Sequence, residues 1–466
     1  MEKSSLAEIR LEMDDQARFA AFCGDHNPMH MDAEVARRTQ AGVCAVHGIH
    51  GVLWALETLA IHGVPISTLA SVKAEFSRFI SVGQLVTLVL LARDPTHLRA
   101  ELRLDDVRAI VLDLRFGDIT TPHASVPVGE YPPLQAIERN LEDLDELAGR
   151  IIVPLDSAAE AMFPTLSALL GRDRVEAIGL SSTVVGMIAP GLHSIYAGIQ
   201  FRVSSAERPA GLAYKVRRTD RRFRHVTIDI EGPGLDGVAT AFVRFPPVAP
   251  PSLAEIVRIV SPGEFEERRA LVIGGSRGIG AATALLIAAG GGSVAITYRT
   301  GRAEAEALQA EIGAARCEIA HYDALVAPEP QLAVFSGRFT HVYFFATGQI
   351  GSGGAGFDRS AFDAFASVYL DGFARLASYL GTSAAPTCLL YPSTVYVISR
   401  PRGLAEYAMA KAAGEVLCSE MQRKWPSLHI SVPRLPRILT DQTASVPPTP
   451  AQDPVAVMLP LLRAEA

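Results

Sequence analysis

Asp25 and His30 stand five residues apart in the run from Cys23 to Gly48, with Asn27 and Pro28 between them. A polar loop containing proline can aim two such side chains into one small volume. A neutral imidazole titrates near the working pH and a carboxylate beside it fits a second proton-transfer role, so the pair can act as general acid and base. Which of the two takes which proton is left open by the spacing. After a short Arg-containing helix comes His47-Gly48, close to the start of an apolar helix predicted over Gly51 to Ile61. Backbone N–H groups at a helix start have no intrahelical partner and can hold a developing oxyanion. The competing reading makes Asp25 a helix cap and His30 a surface residue. Gly24, Asn27, Pro28, Asp32 and His47-Gly48, all in register with the pair, favour catalysis. His26, His50 and His62 are read as partly buried or solvated polar residues, and no metal site is assigned.

The stretch GDHNPMHMD, followed by Ala33 and then by His47-Gly48, resembles the hydratase motif of the MaoC-like (R)-specific enoyl-thioester hydratases and dehydratases. The resemblance implies a hotdog fold, a long apolar helix wrapped by an antiparallel sheet, acting on acyl groups held as thioesters of coenzyme A or an acyl-carrier protein. Carried over, it makes Asp25 and His30 the catalytic pair, Asn27 the residue that holds the loop, and Gly48 the donor of an oxyanion-hole N–H. The residue types agree with that chemistry. Removing water across C2 and C3 of a 3-hydroxyacyl thioester needs a base at C2, an acid at the C3 hydroxyl, and a donor for the enolate oxygen.

A second constellation lies further along. Ala270 to Ile273 reads as a short apolar strand, followed by Gly274-Gly275-Ser276-Arg277-Gly278-Ile279-Gly280, an Ala-rich helix to Ala289, and a strand from Ser293 to Tyr298. Glycines at 274, 278 and 280 permit a tight turn and let a helix start approach a pyrophosphate. This resembles the cofactor loop of the short-chain dehydrogenases/reductases, with Ile273 where that family has Thr. The resemblance implies a Rossmann domain. It gives cofactor-binding roles to Gly274, Ser276, Arg277, Gly278, Ile279 and Gly280, to Asp323 as an adenine contact, to Gly348, and to Thr440 as a nicotinamide contact. The second strand ends in Tyr298-Arg299 in place of an Asp, and Arg277 sits in the loop itself. Two guanidinium groups suit a 2′-phosphate, so the expected cofactor is NADPH.

Tyr407 and Lys411, one helical turn apart, match that family's YxxxK. The Lys ammonium is expected to lower the Tyr pKa, so that the phenol gives a proton to a carbonyl as hydride arrives. Ser393 matches the family's residue type and Thr394 its commonest spacing to Tyr407; both are kept, Ser393 first. The chain departs from the family at Phe345-Ala346-Thr347-Gly348, where NNAG is usual, and at Tyr369, which replaces a helix Asn and is expected to alter a proton relay. The last strand and helix of the common form have no counterpart after Thr440, which speaks against that family's tetramer packing.

The elements that must position these residues read as an α+β double hotdog followed by an α/β Rossmann domain. Residues 1–120 form the catalytic hotdog, with strand alternation over Ser71 to Leu91 and Leu98 to Phe116. Residues 118–134 read as a linker, and Leu134 to Ala148 as a helix rich in Glu and Asp. Residues 135–246 read as a second hotdog half, with Val175 to Ile188 its central helix, Pro190-Gly191 the stop, and Leu192 to Val203 the next strand. Where the catalytic loop should recur, AEAMFPTLSALLG holds neither Asp nor His, so this half is expected to be structural, and His193 a polar residue at a strand start. Arg217, Arg218, Arg221, Arg222 and Arg224 make either a hairpin's solvated face or a phosphate contact for coenzyme A, phosphopantetheine or an acidic carrier protein. Residues 247–265 are a Pro-rich linker, and 266–466 the Rossmann domain.

A chain of 466 residues has room for about three units of fold. A net charge of −7 argues against a nucleic-acid binder. Five scattered Cys without zinc spacing suggest reduced thiols in the cytoplasm. The polar start and the lack of a membrane-length apolar run point away from a signal peptide and a membrane. The expected function is bifunctional. The Rossmann domain reduces a 3-oxoacyl thioester with NADPH and the hotdog dehydrates the 3-hydroxyacyl product or hydrates the enoyl one, in fatty-acid-like or secondary-metabolite biosynthesis. The rivals are one catalytic module beside a scaffold domain, and a reductase for sugars or other small carbonyls. Beyond the thioester, a homodimer is left open as a partner.

Overall fold

A computed structural model of the chain describes residues 4–117, 129–152, 158–205, 210–350, 356–383, 386–446 and 448–465. It divides into two compact units, Met1–Pro246 with Ser445–Thr449, and Pro247–Ala444 with Pro450–Ala466.

The strands of the first unit are β1 (Ser4–Arg10), β2 (Leu69–Phe76), β3 (Leu85–Arg93), β4 (His97–Leu104), β5 (Val107–Phe116), β6 (Ala148–Ile151), β7 (Ser194–Val203), β8 (Leu212–Asp220), β9 (His225–Gly232) and β10 (Leu235–Val243). They form one antiparallel sheet in the order β1-β3-β4-β5-β2-β7-β10-β9-β8-β6. Counted outward from its middle, the order is β2, β5, β4, β3, β1 on one side and β7, β10, β9, β8, β6 on the other, so the two halves share one connectivity. They join where β2 pairs with β7, Ser71 opposite Arg202 and Glu75 opposite Gly198. Period-two alternation buries one face, as at Val226, Ile228 and Ile230 of β9.

Each half contributes a central helix. Gly48–Ile61 is apolar nearly all round, and Val52, Leu53, Leu56 and Leu59 are fully buried, the signature of a helix enclosed by its own domain. Each such side chain contributes roughly 1.5–3 kcal/mol of burial. Its counterpart runs Arg172–Thr183 and continues as a π-helix over Val184–Ile188.

Leu134 to Ala148 does not form the expected helix. It holds only a 3-10 turn, Glu142–Leu144, before β6. The segment's backbone is used elsewhere: Ile137 N donates to Met187 O at 2.8 Å and Ile137 O accepts from Leu192 N at 2.9 Å. Residues 118–128 of the expected linker lie outside the described residues.

The strands of the second unit are β11 (Arg269–Ile273), β12 (Ser293–Tyr298), β13 (Cys317–His321), β14 (His341–Phe344), β15 (Thr387–Leu390), β16 (Ser393–Thr394), β17 (Leu428–Ser431) and β18 (Arg434–Leu435). Six of them form a parallel sheet in the order β13-β12-β11-β14-β15-β17, while β16 pairs with β18. The order reverses at β11, and in a doubly wound sheet the crevice for a ligand opens there, at the carboxyl ends of the strands. Among the described residues no seventh strand joins this sheet. The helix Pro454–Ala464 instead places Val455, Met458 and Leu462 in the same core as Leu285 and Leu286 of the helix Gly278–Ala289. All five cysteines are free thiols, and among the described residues no helix is long and apolar enough to cross a membrane.

Candidate functional site

The helix Met13–Cys23 ends at Gly24, whose φ of 84° turns the chain back. Asn27 then caps the short helix Pro28–Met31 by accepting from Met29 N at 3.0 Å. The turn and the cap bring Asp25 and His30 together, both buried, at 1% and 8% exposure. Asp25 Oδ2 accepts from Ser182 Oγ at 2.6 Å and Oδ1 from Asn27 N at 3.2 Å. Burial pushes the Asp25 carboxyl up, while His30, the Ser182 hydroxyl and the Asn27 N–H pull it back. His30 Nδ1 meets the Ala45 carbonyl at 2.7 Å, so that nitrogen carries the hydrogen and Nε2 is left to exchange a proton.

His47 stacks on His30 with ring centroids 3.9 Å apart. Its Nδ1 lies 2.9 Å from Gln16 Oε1 and its Nε2 2.9 Å from the Asp25 carbonyl oxygen. Asp25, His30 and His47 bring ligand-type atoms within 4.8 Å of one another, and both ring nitrogens of His47 face oxygen atoms of that framework. Gly48 opens the central helix, where its N–H has no intrahelical partner.

The second half, expected to be structural from its lack of Asp and His in the loop, touches the Asp25 loop directly. Ser182 holds Asp25, and Asn27 Nδ2 donates to Gly186 O at 2.6 Å, tying the loop to the π-helix. A Cβ on Gly186 would fall 2.5 Å from Asp25 Oδ1, so glycine is what lets this widened turn approach the carboxylate. A cavity of about 50 Å³ is lined by Asp25, His30 and Gly48 from one half and Ser182 and Tyr196 from the other. Gln16, Ser182, Gly186 and Tyr196 carried no sequence signal, since their types are common and they meet the loop only through tertiary packing. The Arg cluster is largely neutralised. Arg217 pairs with Asp229, Arg218 with Asp220 at 3.5 Å and Arg221 with Asp145 at 2.6 Å, while Arg222 lies over the Phe223 ring and Arg224 bonds the Val243 carbonyl at 2.6 Å.

In the second unit the glycine loop makes a tight turn between strand and helix. Gly274 lies at φ 75°, and a Cβ on Gly280 would fall 2.2 Å from Gly274 O, so only glycine brings the start of helix Gly278–Ala289 this close to the strand. Ser276 and Ile279 are half-buried on the same turn. The Thr440 methyl packs against Gly278. Arg277 pairs with Asp441 at 3.6 Å, so one of the two expected guanidinium groups already faces a carboxylate, whereas Arg299, next to half-buried Tyr298, is exposed. Asp323 uses its carboxylate on Leu325 N at 2.9 Å, and Gly348 O accepts from Thr347 Oγ1 at 3.0 Å.

Two expectations about the proton donor are corrected. Lys411 is 4% exposed and donates to Pro392 O at 2.7 Å, with its Nζ 3.8 Å from the Tyr369 ring centroid and 4.9 Å from that of Tyr391. Burial lowers its ammonium to about 7. Tyr407 is pushed up to about 12 by burial, and the group that pulls it back is the Thr394 hydroxyl, not Lys411. The Tyr369 ring offers the ammonium a π face and its hydroxyl bonds Thr347 Oγ1 at 2.5 Å. Ser393, placed first in the sequence reading, donates to Glu415, which also holds Arg434 at 2.7 Å. Thr394 is therefore the hydroxyl beside Tyr407.

The family model for the MaoC like domain matches residues 2–103. No curated protein matches the chain. Among solved structures, a putative short chain dehydrogenase from Pseudomonas syringae is 20% identical, over 44% of this chain and 90% of that one, with a TM-score of 0.39. A 3-oxoacyl (acyl-carrier-protein) reductase from Agrobacterium tumefaciens C58 with NADP bound is 20% identical over 39% and 74%, at 0.35. A short chain dehydrogenase from Burkholderia cenocepacia J2315 in complex with NADP is 25% identical over 38% and 78%, also at 0.35.

Proposed function

We propose, from the MaoC-like domain that residues 2–103 carry, that the first unit is a double hotdog that adds or removes water at C2 and C3 of an acyl thioester. We propose further that the second unit is a short-chain reductase that converts the 3-oxoacyl thioester to the 3-hydroxyacyl one. The observation that carries the first reading is the buried Asp25 carboxylate, held by Ser182 at 2.6 Å beside a His30 whose Nδ1 is fixed on a carbonyl. In that arrangement Asp25 and His30 Nε2 carry the two proton transfers, and the Gly48 N–H faces the carbonyl oxygen on which enolate charge develops. Enclosure by the second half excludes water other than the reactant and strengthens each of these interactions.

Gly274, Gly278 and Gly280 would hold the pyrophosphate of NADPH, Arg299 would pair with its 2′-phosphate and Thr440 would bond its nicotinamide amide. Bound NADPH supplies the hydride that reduces a carbonyl carbon. The Tyr407 phenol, protonated at neutral pH, gives its proton to the carbonyl oxygen, and Thr394 orients it. A second reading rests on Lys411: its ammonium is spent on Pro392 O and two rings, which favours a unit that binds cofactor and thioester without turnover. Assays of the full chain with crotonyl-CoA and with acetoacetyl-CoA plus NADPH separate these readings. Turnover in both supports the bifunctional enzyme. Hydration without NADPH oxidation, on coenzyme A and carrier-protein forms alike, leaves the second unit as a binding domain.

A further inference from the structure

Tyr196 stands on β7, in the half that lacks an acid and a base, and lines the same cavity as Asp25, His30 and Gly48. Its hydroxyl is buried and has no hydrogen-bond partner. The nearest candidate, Ser181, gives its own proton to the Ile178 carbonyl at 2.6 Å, and its oxygen does not meet the Tyr196 hydroxyl in a full hydrogen bond. The ring is fixed by packing on Phe76, centroids 5.1 Å apart, and Phe76 in turn lies against Gly48, where a Cβ would meet its ring at 2.9 Å. Tyr196 is thus held on the side of the cavity where the helix start presents its N–H groups. Burial raises the phenol pKa, the Ser181 side chain pulls it back in part and the nearby Asp25 carboxylate raises it again, so the group is a donor throughout the working range.

A buried hydroxyl without a partner is costly, and Phe would fill the same space without that cost. The hydroxyl is accounted for when the bound molecule brings an acceptor. Resting on the hydration reading above, we infer that Tyr196 is a catalytic residue whose O–H donates to the carbonyl oxygen of the bound acyl thioester, alongside the Gly48 N–H. The half without an acid or base would then supply one of the two oxyanion donors.

The test is Tyr196→Phe in the full chain, with crotonyl-CoA as the probe. Hydration kcat is expected to fall roughly 10²-fold, the size of effect that follows loss of one oxyanion donor, with KM changed only a few-fold. The melting temperature is expected to hold or rise, because an unsatisfied buried group has been removed. A kcat within about threefold of the parent overturns the inference, and so does a loss of kcat that tracks a lower melting temperature. If the parent itself does not hydrate crotonyl-CoA, the hydration reading fails on its own, and calorimetric binding of crotonyl-CoA still decides about Tyr196. Binding a few-fold weaker in Tyr196→Phe, in line with the expected KM change, sustains the contact, and equal binding refutes it.

Discussion

Both units bury an ionisable group at the heart of a candidate site, and their surroundings treat it in opposite ways. Around Asp25, desolvation is countered by groups that favour the charge: His30, the Ser182 hydroxyl and the Asn27 N–H. Around Lys411, the ammonium finds one carbonyl oxygen and two aromatic faces, and burial lowers it to about 7. The first arrangement gives the buried carboxylate hydrogen-bond partners for its charge. In the second, the lysine has lost the lever by which it would make Tyr407 a better proton donor. Intact motif spacing is common to both sites, so the difference comes from the neighbours: a glycine at 186 that lets the π-helix reach Asp25, and a tyrosine at 369 that draws Lys411 away.

The comparison breaks first at Gly186. Gly186→Ala forces a Cβ onto the Asp25 carboxylate, and crotonyl-CoA hydration is expected to drop roughly 10²-fold, as for a displacement of about 1 Å at a reacting group. NADPH binding, measured by fluorescence titration, is expected to stay unchanged, because Gly186 belongs to the first unit. Tyr369→Asn should sharpen the contrast from the other side. It removes the π face from Lys411, and NADPH oxidation with acetoacetyl-CoA is expected to rise about tenfold at pH 7.

Ser182→Ala takes away a hydrogen bond to the charged form of Asp25, so the carboxyl rises further. The acid limb of the hydration pH profile should move up by about one pH unit, with the plateau kcat little changed. For Lys411 the sign runs the other way. Its folded value of about 7 lies below the ordinary 10.5, so between those values the unfolded chain binds the extra proton and stability rises with pH. In Lys411→Met the rise of melting temperature from pH 7 to 9 (roughly the lower half of that window) should flatten. The smallest effect is expected at Arg217→Ala. Its exposed pair with Asp229 is worth about 0–1 kcal/mol, and KM for crotonyl-CoA should change less than about twofold.

What could be read from the sequence was what is local. Asp25, Asn27, His30 and Gly48 are positioned by one turn, one cap and one helix start, each of which has its own residue signature. The glycine loop is of the same kind, and so is the strand–helix alternation around it. Ser182 and Tyr196 were illegible because they enter through the pairing of β2 with β7 and the packing of two central helices, and Gln16 because it meets His47 only through the packing of the helix Met13–Cys23, none of which spacing encodes. The segment Leu134 to Ala148 has helix-forming composition, yet Ile137 is bonded through its backbone to both Met187 and Leu192, and that tertiary demand overrides propensity. YxxxK places Tyr407 and Lys411 on one side of a helix, but it does not fix where a flexible lysine puts its charge.

The central claim is that Asp25 and His30 form a hydration site that works independently of the second unit. His30→Ala, assayed in parallel for crotonyl-CoA hydration and for NADPH-dependent reduction of acetoacetyl-CoA, tests it most directly. Hydration is expected to fall at least ~100-fold, because a positioned acid or base contributes that much, while the NADPH rate stays at the parent value. Hydration within a few-fold of the parent would make Asp25-His30 a structural loop and contradict the account.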